Sequence, residues 1–148
     1  MNEIKLNKLG LKTFTEQDVS DYCQLNNINP DNIILADLQN NKLTDISGIK
    51  LFKNLKKLYL YENKLTNIIL LKKLTKLESL FIGYNQITDI SVLKYLNKLE
   101  ILGISELHLK SDQIQYINSL NNLKELIYYK GFKDISVINK LNNIKIII

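Results

Sequence analysis

The sequence contains few of the residue types on which common functional sites depend. It has one cysteine, one histidine and one proline, and it lacks arginine and tryptophan. A single cysteine excludes an internal disulfide framework and a cysteine-rich zinc site, and a single histidine excludes a metal site built on two histidines. With one proline and five glycines there is no long flexible linker. A secreted disulfide scaffold, a zinc module and a two-domain enzyme are therefore disfavoured.

Long apolar runs are absent as well. Charged residues interrupt each apolar stretch near the N-terminus, so we expect no secretory signal peptide. The longest runs, such as residues 68–71, are far shorter than the roughly 20 apolar residues of a membrane span. These features predict a cytoplasmic protein, in which Cys23 is a reduced and buried thiol.

The residues that are abundant indicate a folded, basic protein. Hydrophobic residues make up 45% of the 148 positions and charged residues 24%, as in globular domains. All 20 basic residues are lysines, and the formal net charge is +5. Lysine, asparagine and isoleucine share A/T-rich codons, so this charge can reflect codon usage as well as selection for an anionic partner.

An internal repeat of 22 residues dominates the chain. Residues 55–65 and 77–87 fit the pattern L-x-x-L-x-L-x-x-N-x-L, and residues 33–43 fit it with small substitutions. A fourth unit begins at Leu99 and a fifth at Leu123. In the second half of the units, apolar residues recur at intervals of three, which is typical of a 3₁₀ or short helical turn. Each unit is therefore predicted to be a short strand, an asparagine turn and a tight returning segment.

This pattern resembles the leucine-rich repeat family, in its 22-residue, internalin-type bacterial class. The resemblance covers Ile33 to Ile148 and implies an α/β repeat solenoid with a concave parallel β-sheet and convex 3₁₀ or short helical segments. One unit cannot bury its leucine stripe alone, so the units must stack. We expect a single domain, residues 1–148, made of an N-terminal cap at 12–32, repeats at 33–54, 55–76, 77–98, 99–122 and 123–143, and a terminal strand at 144–148.

The two ends of the repeat array differ. Residues 12–32 predict a capping helix that begins after Thr15, with acidic residues in its first turn. No comparable polar cap follows the fifth repeat. The terminal strand predicts either an edge that pairs with a second copy of the chain or a segment that folds back as a cap. The residues of that edge are Ile144, Ile147 and Ile148.

Asparagines at the ninth position are expected to face inward and to satisfy backbone groups of the turn. Three units carry this asparagine ladder: Asn41, Asn63 and Asn85. The fourth unit has Leu107 instead and is 24 residues long. We therefore expect residues 105–112 to bulge outward, through ordinary repeat decay or as a binding loop.

The sequence gives no support to catalysis, to a bound cofactor or to a metal site. His108 has no recognisable base or nucleophile arrangement around it, and no phosphate-binding or nucleophile-elbow motif occurs. Glu78 and Glu100 are expected in one column of the stacked repeats, but scattered solvated charge is the simpler interpretation. We therefore expect that the protein is not an enzyme.

The variable positions of the strand pattern predict a binding surface on the concave sheet. Neighbouring strands lie about 5 Å apart, so aromatic residues of consecutive units should form one cluster. Exposed aromatic clusters are typical of protein-binding hot spots. The predicted partner-binding residues are Tyr59, Tyr61, Phe81, Tyr84, Glu62, Lys57, Ile101, Ile127 and Tyr129.

The resulting prediction is a non-catalytic protein-recognition module. Since the chain carries no catalytic neighbour, it would act as a small inhibitor or adaptor of an intracellular target, such as a nuclease or an immune effector, in a bacterial or phage setting. One alternative is a surface protein that binds a host receptor, as internalins do.

A second alternative is nucleic-acid or nucleoprotein binding through columns of lysines. These lysines recur at equivalent repeat positions: Lys50, Lys72, Lys76, Lys94 and Lys98. The absence of arginine counts against this alternative, because arginine makes most bidentate contacts to bases and phosphates.

Overall fold

The computed structural model describes residues 2–130 and 144–147. Over these residues, seven short strands form one sheet in chain order, and each pairs in parallel with its sequence neighbours. The strands are β1 (Glu3–Lys5), β2 (Leu35–Asp37), β3 (Lys57–Tyr59), β4 (Ser79–Phe81), β5 (Ile101–Gly103), β6 (Glu125–Ile127) and β7 (Lys145–Ile147). The predicted repeat solenoid is confirmed.

Helical segments return the chain from one strand to the next. Two helical segments of the described residues are α-helices, α1 (Glu16–Leu25) and α2 (Ile114–Asn118). The 3₁₀ helices of the described chain span Pro30–Asn32, Ser47–Leu51, Ile69–Lys73, Ser91–Tyr95 and Ser111–Gln113. The interval of three between apolar residues is thus a 3₁₀ period, and it places Ile49, Leu71 and Leu93 in the core.

The core lies between the sheet and the returning segments. The central residues of consecutive strands, Leu58, Leu80 and Leu102, are paired in register and fully buried. Because side chains alternate along a strand, the residues on either side of each leucine point to the other face of the sheet. That other face is the concave surface of the solenoid.

Helix α1 covers the first returning 3₁₀ segment, as the capping prediction requires. Thr15 is its N-cap, and its side chain forms a capping box with Asp18. Val19 and Cys23 are buried against the core, and burial raises the pKa of the Cys23 thiol. The close approach depends on Gly48, because a Cβ there would lie 2.5 Å from the carbonyl oxygen of Thr15.

Strand β1 was not anticipated from the sequence. It pairs in register with β2, and Thr13 makes an isolated bridge with Asp45. The residues before α1 therefore form a strand and a turn of their own. Leu9 in this turn lies 32 residues before Asn41, its equivalent in the next turn. Helix α1 occupies the place that a 3₁₀ segment takes in the later repeats.

The fourth unit does not bulge as expected. Leu107 and Leu109, within the segment 105–112, are buried in the core, so the prediction of an outward loop was wrong. The additional length is taken up by the 3₁₀ turn Ser111–Gln113 and by α2, which follows it directly. The later part of the fifth unit, residues 131–143, lies outside the described residues.

Candidate protein-recognition surface

Tyr59 and Phe81 form the first aromatic pair of the concave surface. They are register partners on β3 and β4, and their ring centroids are 5.2 Å apart in an edge-to-face arrangement. The Phe81 ring extends over Gly103 of the next strand, where an added Cβ would lie 2.6 Å from its Cδ1 atom. Gly103 therefore makes room for the ring.

Tyr61 and Tyr84 form the second pair, in the turns that follow the strands. Their ring centroids are 4.9 Å apart, with the planes inclined at 55°. Partial burial is the main cause that raises the pKa of the Tyr84 hydroxyl group. Electrostatic interaction with Tyr61 and with the Glu106 carboxylate raises this pKa further. The two tyrosines thus lie close together and close to an acidic side chain.

The other predicted partner-binding residues extend this surface. Lys57 is exposed on β3, and Ile101 and Ile127 are half-buried on β5 and β6. Tyr129 is 47% exposed, and the ammonium group of Lys130 stands 5.2 Å from its ring centroid. The structure therefore brings the predicted set together on one side of the solenoid, but it does not test whether a partner binds there.

Most carboxylates near the sheet are paired with lysines. Glu78 forms an ion pair with Lys56 at 2.9 Å, and Glu100 forms one with Lys124 at 2.8 Å. These two glutamates do lie in one column, but each is held by a lysine of a neighbouring unit. This arrangement favours solvated ion pairing over paired acid–base chemistry.

The asparagine ladder lies beneath the turns that carry the aromatic residues. The Asn63 side-chain oxygen accepts a hydrogen bond from the Leu43 N–H at 2.9 Å, and its amide donates to the carbonyls of Leu38 and Leu60, each at 3.0 Å. Asn85 makes the equivalent bonds one unit later. Asn41 bridges to the first strand unit in the same way. The ladder holds the turns in register.

The predicted lysine columns lie on the returning segments and in the loops that follow them, away from the aromatic pairs. Lys50 forms an ion pair with Glu16 at 3.3 Å, and Lys76 donates a hydrogen bond to Asn54. The other members, Lys72, Lys94 and Lys98, are exposed.

The C-terminal edge is described in part. Ile144 and Ile147 are half-buried beside β6, and Ile148 lies outside the described residues. A homodimer through this edge stays a prediction.

The described residues hold no recognisable metal centre. Within residues 2–130 and 144–147, no group of three or more histidine, cysteine, aspartate or glutamate side chains is placed to bind a metal ion. Over the same part of the chain, no helix has the length and apolar character needed to cross a membrane.

Comparison with known proteins identifies the repeat type. A family model described as "Leucine Rich repeats (2 copies)" matches residues 53–95. The internalin InlF of Listeria monocytogenes is similar in structure, with a TM-score of 0.72 and 32% sequence identity, over 78% of this chain and 34% of that chain. The chain carries leucine-rich repeats of the internalin type.

A second internalin shares the fold of these leucine-rich repeats. Internalin C2 of the same organism has a TM-score of 0.66 and 24% identity, over 99% of this chain and 80% of that chain. The leucine-rich repeats described here span about a third of the length of InlF. Comparison with curated proteins gives no significant match. Leucine-rich repeat proteins generally bind protein partners.

Two residues of these leucine-rich repeats were not assigned to the site from the sequence. Gly103 occupies the column of Tyr59 and Phe81, and Glu106 occupies the column of Tyr84. Alignment of the repeats places both residues at concave positions. Their roles depend on the direction of neighbouring side chains, which the alignment does not contain.

Proposed function

We propose that this chain is a non-catalytic protein-recognition module whose concave surface binds a partner protein. The observation that carries the proposal is the aromatic surface, in which Tyr59 packs on Phe81 on the outward face of the sheet and Tyr61 packs on Tyr84 in the adjoining turns. Rigid tyrosine and phenylalanine rings supply a large contact area for little loss of side-chain entropy.

The rigidity of the surface supports this proposal. Each aromatic pair spans two consecutive repeats, and Asn85 of the asparagine ladder ties those repeats together through hydrogen bonds with Leu60 and Leu65. A preformed surface loses little conformational freedom on binding, so more of the contact energy contributes to affinity. The molecule acts, in this proposal, as a small inhibitor or adaptor of a cytoplasmic protein.

The experiment is capture of partner proteins from lysate on the immobilised protein, with and without nuclease. Mass spectrometry identifies the captured partner, and the affinity is then measured with the purified partner. The Tyr59→Ala/Phe81→Ala double variant should weaken binding at least about tenfold, because aromatic anchors at an interface contribute about 1–2 kcal/mol each. Circular dichroism and thermal unfolding should show that this variant is folded.

Tyr95→Ala is the matched control, because Tyr95 is an exposed aromatic residue on a convex 3₁₀ segment. Its affinity for the partner should equal that of the parent protein. Equal binding by the parent and the folded Tyr59→Ala/Phe81→Ala variant would show that the partner binds elsewhere.

Nucleic-acid binding through the exposed lysines remains the second prediction. It is favoured by the position of Lys72, Lys94 and Lys98 on one side of the solenoid. A capture that disappears with nuclease, together with an affinity that falls steeply with salt, would favour this function over protein recognition.

A further inference from the structure

Two glutamates of the concave surface have no cationic partner within the described residues. Glu62 and Glu106 are both outside the ion pairs of that part of the chain, although the protein has a net charge of +5. The five other glutamates each pair with a lysine: Glu3, Glu16, Glu78, Glu100 and Glu125. Within the described residues, the lysines therefore leave these two glutamates of the concave surface without an ion pair.

Glu62 and Glu106 are the neighbours of Tyr84 in the stack of turns. Glu62, Tyr84 and Glu106 occupy the same position in three consecutive turns, with left-handed φ angles of 58°, 53° and 56°. The Glu62 N–H donates to the Gly83 carbonyl at 3.0 Å, and the Tyr84 N–H donates to the Ser105 carbonyl at 2.8 Å. The turns are thus stacked in register, about 5 Å apart.

No lysine ammonium group of the described residues stands over the rings of Tyr61 and Tyr84. Within the described residues, lysine ammonium groups stand over the rings of Tyr95 and Tyr129, each at 5.2 Å, but not over Tyr61 or Tyr84. The Tyr84 side chain is 36% exposed. A cation from outside the molecule can therefore approach both the aromatic surface and the carboxylates.

We propose that Tyr61, Tyr84, Glu62 and Glu106 form a subsite that binds an arginine side chain of the partner protein. This inference rests on the proposed function and specifies the chemistry of the partner. A guanidinium group is planar, stacks on aromatic rings and donates paired hydrogen bonds to a carboxylate, which suits a tyrosine pair flanked by two glutamates. Among the described residues, no group of three or more histidine, cysteine, aspartate or glutamate side chains is placed to bind a metal ion, so an organic cation suits the subsite better.

The test is an NMR titration of the isotope-labelled protein with a short capped peptide of alternating glycine and arginine. The same peptide with citrulline, the uncharged isostere of arginine, is the matched ligand. The arginine peptide should shift the signals of the Tyr61 and Tyr84 rings and weaken in affinity as salt rises, and the citrulline peptide should not. Equal effects of the two peptides, or no shift at these tyrosines, would overturn the proposal.

Two double variants separate local contacts from general charge. Glu62→Gln/Glu106→Gln should weaken binding of the arginine peptide about tenfold, because it removes two charge contacts to the guanidinium group. Glu78→Gln/Glu100→Gln removes the same charge from ion-paired positions and should change the affinity by less than about twofold. An equal loss in both variants would mean that only the overall charge attracts the peptide, and would overturn the subsite.

The purified partner distinguishes failure of this inference from failure of the proposed function. If Tyr59→Ala/Phe81→Ala abolishes partner binding while Glu62→Gln/Glu106→Gln leaves it unchanged, the concave surface binds the partner without an arginine subsite. If neither variant affects partner binding, the proposed function itself is wrong. Thermal unfolding of each variant controls for folding, and substitution of Glu62 and Glu106, which are in no ion pair of the described chain, should not alter it.

Discussion

The side-chain amide of Asn63 donates a hydrogen bond to the main-chain carbonyl of Leu38, 25 residues earlier and one repeat away. The same amide group also donates within its own turn. One buried side chain therefore satisfies the backbone of two consecutive repeats, and it joins the turn that carries Tyr61 to the turn before it.

We expect Asn63→Ala to destabilise the protein by about 1–3 kcal/mol, because it leaves buried carbonyl and amide groups without partners. Urea unfolding measures this change. Asn97→Ala, at an exposed position of a later repeat, is the control and should stay within about 0.5 kcal/mol of the parent. Equal stability of the Asn63→Ala variant and the parent would contradict the ladder's structural role.

Gly48→Ala should loosen the N-terminal helix α1. The added Cβ would lie 2.5 Å from the Thr15 carbonyl oxygen and 2.9 Å from that of Phe14, and backbone atoms cannot rotate away as a side chain can. We expect a loss of about 1–3 kcal/mol in the free energy of unfolding. Faster hydrogen exchange at the amides of α1 than in the parent would locate the effect.

The control for this change is Lys50→Ala on the same 3₁₀ segment. Lys50 forms an exposed ion pair with Glu16, and such pairs contribute about 0–1 kcal/mol to the free energy of unfolding. The Lys50→Ala variant should therefore lose no more than about 1 kcal/mol of stability. Unchanged exchange of the α1 amides in Gly48→Ala would show that the helix does not need the close approach.

Gly103→Ala should move the Phe81 ring, because the new Cβ would meet the ring at 2.6 Å. The ring can turn aside on the exposed face, so we expect a small change in stability, about 1 kcal/mol or less. The edge contact with Tyr59 should be lost, which changes the ring-current shifts of both aromatic residues in NMR spectra. Identical aromatic shifts in the variant and the parent would contradict the packing described here.

Asp89 should contribute to stability in a pH-dependent way. A hydrogen bond from the Ser91 N–H at 2.8 Å, and also the positive charge of Lys94, lower the pKa of its carboxyl below the usual value. A group whose pKa is lower in the folded state stabilises above its unfolded pKa, about 3.9, and loses that contribution as the pH falls through the folded pKa. Asp89→Ala should therefore be less stable than the parent at pH 7, and this difference should shrink below about pH 4.

Asp89→Asn separates the hydrogen bond from the charge. Asn67 occupies the equivalent position one repeat earlier, and its side-chain oxygen accepts the corresponding hydrogen bond from the Ile69 N–H at 2.8 Å. The asparagine variant should therefore keep most of the stability that Asp89→Ala loses at pH 7. Unfolding experiments from pH 7 to pH 2 measure both variants, and a difference that does not change with pH would contradict a role for the charge.

The sequence was most informative where the repeats are regular. Leu58 and Leu80 occupy equivalent positions, and stacking the repeats places them in register in the core. A single unit cannot bury its apolar residues, so a recurring leucine pattern is enough to predict a solenoid. The same spacing identified the outward columns that contain Tyr59 and Phe81.

The sequence was least informative at the N-terminus. Strand β1 belongs to a unit with a 32-residue spacing, and Leu9 stands where the next three turns have asparagine. Asn41 of the following turn accepts hydrogen bonds from the Leu9 and Leu11 N–H groups, so the neighbouring repeat satisfies this turn. The sequence pattern of one unit does not show a hydrogen bond that another unit supplies. Strand β1 was therefore not predicted.

By itself, the sequence determined the leucine-rich repeat architecture and the residues that face outward from its sheet, because both follow from the spacing of apolar residues. Only the tertiary structure decided that Tyr61 packs on Tyr84, and that Glu62 and Glu106 beside them are in no ion pair of the described chain. Repeat spacing sets the positions of Cα atoms, whereas ring packing and ion pairing depend on side-chain rotamers and on neighbours from other repeats.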